Sequence, residues 1–394
     1  MFRQHLLKLF VILLLLEVRS SATPLIALRE ADNCGACHKP GRTQRPVLER
    51  RCTLDCQGCH VDPNGGHARN AWGKYYTHAA SSLVHFFTPK DPLLDQSRFD
   101  IHLDTRNMIQ DIAGRGKRQF PMATELSLRL RPFIKYLHLS YGSVFLGDVH
   151  DSKYRVVSKD DRRYREKFAI MVDALPLNTY LRYSRGTPLY GIKRPNHSLW
   201  IRSRIGLNQY ATTDALELGL TPNVPFMRVA QHFGDPNEEE AHKQKGSSYH
   251  AGLRGVSFAW HINTSGWETR SDFNKISMQA VGAGFKFLDT IFYSERNWRK
   301  VTPLLDSEAG ESIRFVHPSS MITEHSITFA QFQGVNLGSI WEELIDANIQ
   351  SSRQSFFVDF HPFPYLQLEL WHRKETGTRQ LTDSLALIHL YGDW

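Results

Sequence analysis

From residue 99 to its end the chain alternates. Leu126, Leu128 and Leu130 are interleaved with Ser127, Arg129 and Arg131, and Leu216, Leu218 and Leu220 with Glu217, Gly219 and Thr221. Further on, Phe356, Val358 and Phe360 share one parity against Asp359 and His361, and Leu366, Leu368 and Leu370 oppose Gln367, Glu369 and Trp371. Successive side chains of a strand point to opposite faces, so a period of two predicts amphipathic strands with one apolar face.

The connections between these segments come in two lengths. Short ones are expected at 131–132, 175–177, 222–225 and 362–364, all marked by proline; long polar ones are expected at 147–165, 186–213, 234–247, 295–322 and 373–382. Short turns on one side and long loops on the other predict an outer-membrane-type antiparallel β-barrel, with apolar positions outward and polar ones inward. The count is roughly 14 to 16 strands, enough to enclose a lumen. The stretch 256–284 does not divide cleanly. Arg129 and Arg131 fall on the lumen parity, and Tyr136, Tyr141, Trp200, Trp260, Trp341 and Trp371 are expected as aromatic girdles. The competing reading is a soluble sandwich, with the apolar face as its core.

The region before residue 99 has a different pattern. Arg3 and Lys8 precede an apolar run, Leu9 to Leu16, and small residues follow at Ser20, Ser21 and Ala22. This is the order of a secretory signal, with the mature chain starting near Thr23. The run is too short to span a bilayer, although an uncut anchor is the competing reading, since Glu17 and Arg19 stand close to the cleavage point.

All five cysteines lie between Cys34 and Cys59. Four of them form Cys34-Gly-Ala-Cys37-His38 and Cys56-Gln-Gly-Cys59-His60, the attachment pattern of c-type haem. Two thiols three positions apart can bond to the two vinyl-derived carbons on one porphyrin edge, and the adjacent imidazole then reaches the iron. His38 and His60 are thus the expected proximal ligands of two haems c. Without the histidines, the same four cysteines fit a zinc-ribbon spacing, or could pair as disulfides; neither alternative requires a histidine after both pairs. Cys52 has no assigned role. No methionine lies between the motifs, whereas His67, His78 and His85 follow closely and are candidate distal ligands. His67 and His78 are eleven apart, so they share a face if that stretch is helical. Two imidazoles keep the potential below that of a His/Met pair and close the iron to small ligands, which points to electron transfer.

Composition narrows the classes further. With 41% hydrophobic and 22% charged residues the chain is a folded protein. The formal charge is +8, or +6 once the leader's three basic and one acidic residues are removed. The basic residues are scattered, with no stripe interleaved with aromatics, so nucleic-acid binding is not expected. No nucleophile elbow, phosphate loop or paired-carboxylate motif stands out, and an electron carrier or conduit is a better reading than a turnover enzyme. An exported redox enzyme with a β accessory domain is the remaining enzymatic alternative.

The sequence resembles a bacterial family of outer-membrane porin-cytochrome c fusions. The resemblance is carried by Cys56 to His60 with Val61-Asp62-Pro63-Asn64-Gly65-Gly66, Arg69-Asn70 and Trp72-Gly73. Phe120-Pro121-Met122, leading into a strand at Glu125, and Gly186-Thr187-Pro188 with Tyr190-Gly191 and Asn196-His197 are weaker elements of it. It implies a conduit between a periplasmic redox protein and an extracellular donor or acceptor such as iron, in the outer membrane of a Gram-negative bacterium. His67 stands where another glycine is expected, and two haem motifs replace the single one of the iron-oxidising fusions, so the direction of flow does not carry over. The expected organisation is a signal peptide over 1–22, a small, partly helical di-haem segment over 23–98, periplasmic or in the lumen, and a mainly β barrel over 99–394. A porin whose haem segment is structural or serves for docking, and an exported zinc-binding sandwich, are the alternatives.

Overall fold

The computed structural model describes residues 83–84, 99–131, 136–146, 164–191, 199–207, 211–221, 224–255, 259–304, 319–332, 334–346, 349–377 and 380–393. The strands are β1 Phe99–Ile112, β2 Gly116–Leu130, β3 Leu137–Leu146, β4 Tyr164–Leu175, β5 Thr179–Gly186, β6 Thr213–Leu220, β7 Pro225–Gly234 and β8 Lys245–Gly255. They continue as β9 Trp260–Arg270, β10 Asn274–Phe287, β11 Thr290–Pro303, β12 Ser319–Phe332, β13 Val335–Asp346, β14 Ile349–Phe363, β15 Leu366–Thr376 and β16 Leu381–Asp393. Each pairs antiparallel with its sequence neighbours, and β1 pairs with β16, so the sheet closes into a 16-strand barrel without an edge. Among the described residues no helix is long and apolar enough to cross a membrane.

The faces follow the alternation. Leu128, Leu218, Ile327, Phe356 and Leu370 are exposed on the outside, while Arg129, Glu217, Thr328 and Glu369 are buried on the inside. A one-residue slip would exchange every such pair, so the pattern also fixes the register. The outer wall is thus an apolar belt and the inner wall is polar. That is the reverse of a water-soluble sandwich, and it suits a barrel surrounded by hydrocarbon.

The two ends differ. Connections 131–136, 176–178, 221–224, 256–259, 288–289, 333–334 and 364–365 are short and lie at one end, with Phe99 and Asp393. The other end carries the long connections 147–163, 187–212, 235–244 and 304–318, together with four short ones. In the 235–244 connection Lys243 Nζ lies 2.8 Å from Glu240, and with Lys245 it holds that exposed carboxyl down to about 2.

Several expectations need correction. The span 373–382 is no long loop: Gly377, at φ 119°, turns β15 tightly into β16, where a Cβ would come 2.6 Å from the carbonyl oxygen of Gln350. Much of 295–322 is strand. The strand expected at Glu125 already begins at Gly116, and Pro121 sits at a bulge where Arg106 pairs with Ala123 and Asn107 with Pro121. Proline donates no ladder hydrogen bond, which is why it is tolerated there. Tyr136, Tyr141 and Trp341 are exposed as girdle residues should be, but Trp200 and Trp371 are buried inside the barrel. The stretch 256–284 resolves into β9 and β10.

Candidate functional site in the barrel lumen

The lumen wall is built from ion pairs between residues directly opposite on neighbouring strands. Asp100 and Arg129 face each other across β1 and β2, Arg182 and Glu217 across β5 and β6, Glu342 and Arg353 across β13 and β14, and Arg373 and Asp383 across β15 and β16. Their bonds run at 2.6 Å from Arg129 Nε to Asp100, 2.6 Å from Arg182 Nη2 to Glu217, 2.7 Å from Arg353 Nε to Glu342 and 2.8 Å from Arg373 Nε to Asp383. A buried charge is tolerated when its partner and its hydrogen bonds are close, and each pair meets that condition. Arg129 therefore faces inward, as its parity requires.

The 187–212 connection does not stay at the rim. It carries a short helix, α1, Trp200–Ser203, which lies against β11, β12 and β13, well round the barrel from β5 and β6. Leu199, Trp200, Ile201 and Ile205 are all buried, and they pack in one apolar cluster with Met278, Ile322, Ile340, Phe357 and Trp371 of the wall. Removing these side chains from water is favourable by roughly 1.5–3 kcal/mol each when fully buried. The apolar wall residues form a continuous patch on an inner face that also carries many buried polar and charged side chains, and the inward segment covers them.

Polar contacts fix the position of this segment. Arg202 Nη2 lies 3.3 Å from Glu295 Oε1 of β11, and Gly191 N–H donates to Ser265 Oγ of β9 at 2.8 Å. The backbone N–H of Trp200 donates to Glu342, whose other oxygen accepts from Arg353, and the Arg353 guanidinium lies 4.7 Å from the Trp200 ring centroid. Gly191 has a φ of 54°, and a Cβ there would come within 2.6 Å of Arg202 Nη2. Glycine is the residue that permits both the left-handed backbone and the close approach.

A second polar cluster lies in the lumen near the short-turn end. Asp104 of β1 accepts from Arg106 at 2.8 Å and lies 2.9 Å from His389 Nε2 of β16. His389 Nδ1 is 2.8 Å from Gln367 Oε1, whose amide donates to Asp359 at 2.9 Å and Glu369 at 3.0 Å. His361 Nε2 is 3.2 Å from Asp359, and the Tyr391 hydroxyl is 3.4 Å from its other ring nitrogen. The result is one connected network across β14, β15, β16 and β1. Among the described residues, no group of three or more His, Cys, Asp or Glu side chains is arranged to hold a metal ion.

Cys34, Cys37, His38, Cys56, Cys59 and His60, and the candidate distal ligands His67, His78 and His85, lie outside the described residues. Their chemistry fits haem c by donor set, two thiols and an imidazole per motif. Sequence reading missed Trp200, Arg202, Glu295 and Glu342 as a group. The available signal was the apolar run Leu199-Trp200-Ile201 inside a connection otherwise read as polar.

No protein-family model matches the chain, and no curated protein matches it in sequence. Solved structures do. The loop L8 deletion mutant of OmpT, an outer-membrane protein of Vibrio cholerae, aligns with a TM-score of 0.58 at 10% identity, covering 75% of this chain and 99% of that one. Pseudomonas putida OprB gives 0.57 at 9% identity, with 77% and 95% covered. Salmonella typhi OmpF, solved in complex with daunomycin, gives 0.53 at 8% identity, with 75% and 97% covered. The fold is therefore that of the porin-like outer-membrane β-barrels.

Proposed function

We propose that this protein transfers electrons at the bacterial outer membrane through two covalently bound haems c, as a single chain joining a haem segment to a porin-like barrel. The observation that carries the reading is the succession itself: an export-type leader, two Cys-x-x-Cys-His motifs within residues 34–60, and a closed barrel beginning at Phe99. When bound, the haems supply reversible one-electron chemistry, and bis-histidine ligation by His38, His60 and two of His67, His78 and His85 holds it at low potential. Short turns of such barrels face the periplasm, so Phe99 enters from that side, where a periplasmic redox protein exchanges electrons with the haem segment. The extracellular partner is a donor or acceptor such as iron.

A second reading, a solute pore with a docking haem segment, is favoured by the porin-like fold of the barrel. Proteoliposomes enclosing a redox dye separate the two. Electron conduction predicts that the dye responds to an external reductant with the intact protein and not with a haem-free variant. Solute flux without any response of the dye supports the pore instead.

A further inference from the structure

The two described residues that precede the barrel have a definite place. Leu83 N–H donates to the carbonyl of His361 at 2.9 Å, and Val84 N–H to that of Pro362 at 3.1 Å. His361 and Pro362 lie at the short-turn end of β14, next to its last residue, Phe363, so the chain is tied to that mouth before it enters β1. The geometry is undemanding. Three inter-strand steps separate β14 from β1, about 14 Å at the usual spacing, and the residues between Val84 and Phe99 can extend to about 50 Å.

At that sector the polar wall gives way to an apolar layer deeper in the lumen. Moving inward along β14, His361 and Asp359 are followed by Phe357; along β15, Gln367 and Glu369 are followed by Trp371. Phe357 and Trp371 stack at 4.7 Å and belong to the apolar layer covered by helix α1. A vestibule results, with the polar network as its wall and the apolar layer as its floor.

We infer that residues 23–82, the haem-motif segment, dock in this short-turn vestibule on the β14–β16 side, anchored by the Leu83 and Val84 hydrogen bonds. The segment ends where the anchor begins, which fixes its mouth. Residues 23–82 carry eight basic and five acidic side chains, and the network holds three carboxylates, Asp104, Asp359 and Glu369, with one guanidinium, Arg106, and two imidazoles, His361 and His389. This inference rests on the function proposed above for what the segment carries, not for where it sits. It means that a periplasmic redox protein meets the haem segment at the short-turn face.

Photocrosslinking of the full-length protein in outer-membrane vesicles tests it. Tyr365, in the β14–β15 turn, and Asn237, exposed at the long-loop end, are replaced in separate proteins by p-benzoylphenylalanine, and adducts are mapped by peptide mass spectrometry. Crosslinks from position 365 to peptides within 23–82 of the same chain are expected, with none from position 237. The double variant Leu83→Pro/Val84→Pro, which removes both N–H donors, is expected to lower that yield several-fold. Capture of 23–82 from position 237, crosslinks from 365 only to a second copy or another protein, or a yield unchanged by the prolines would each overturn the placement. Covalent haem is measured on the same samples, so a haem-free chain that still crosslinks at 365 defeats the proposed function and leaves the docking intact.

Discussion

Arg202, on the helix that folds into the lumen, reaches Glu295 of β11 at 3.3 Å, and both side chains are shielded from solvent by the wall and the inward segment. The pair joins two parts of the chain almost a hundred residues apart. It turns a loop that length alone would place in solvent into an internal partition.

Removing one partner should release that partition. Breaking a buried ion pair from one side commonly costs about 3–5 kcal/mol, because the other charge stays buried without it. Arg202→Met is expected to raise single-channel conductance in planar bilayers and to expose the inward segment to protease, with the barrel itself retained. A conductance equal to that of the parent protein would mean that the apolar contacts of Ile201 and Ile205 hold the segment by themselves.

Gly191 tests the same attachment from the backbone. Gly191→Ala introduces a Cβ against Arg202 and Glu295 at a positive φ, a strain of about 1–3 kcal/mol. Gly186→Ala meets nothing within 4 Å and serves as the control. The first should lower the thermal midpoint of heat-modifiable migration on gels and the second should leave it unchanged.

The barrel was largely legible in the sequence, because a wall that is apolar outside and polar inside imposes a strict period of two. Where the inner face turns apolar, that signal fails. In β9 and β10 the lumen positions Trp267, Met278 and Ala280 are as apolar as the outward Ile262 and Val281, so no alternation marks the strands. Trp371 shares the parity of Gln367 and Glu369, which placed it inside; its residue type alone suggested a girdle. The inward course of 187–212 has no periodic signature at all, since its buried residues are chosen by the wall they meet across the lumen. Of the haem site, the attachment residues are written in the two motifs, while the choice among His67, His78 and His85 depends on three-dimensional placement that spacing does not encode.

The outer face has its own test. Ile327 stands exposed midway along β12, and Arg placed on a lipid-facing position near the bilayer midplane costs about 2–4 kcal/mol. Ile327→Arg should reduce the folded fraction in lipid vesicles by a corresponding amount under urea titration. A neutral effect would show that this face does not meet hydrocarbon.

The two haem motifs should be separable. Cys56→Ala/Cys59→Ala is expected to halve covalent haem while leaving barrel folding, read by heat-modifiable migration, intact. Loss of both haems would mean that attachment at the first motif depends on the second; no change in haem content would remove Cys56 and Cys59 from the site.

The most direct measurement is the haem stoichiometry of the mature chain extracted from outer membranes, by pyridine haemochrome spectrum against protein mass and by intact mass spectrometry. Two covalent haems per chain is the predicted result. A chain without covalent haem, with zinc bound at the four cysteines or disulfides joining them, would contradict electron transfer and leave a porin-like barrel with a different N-terminal purpose.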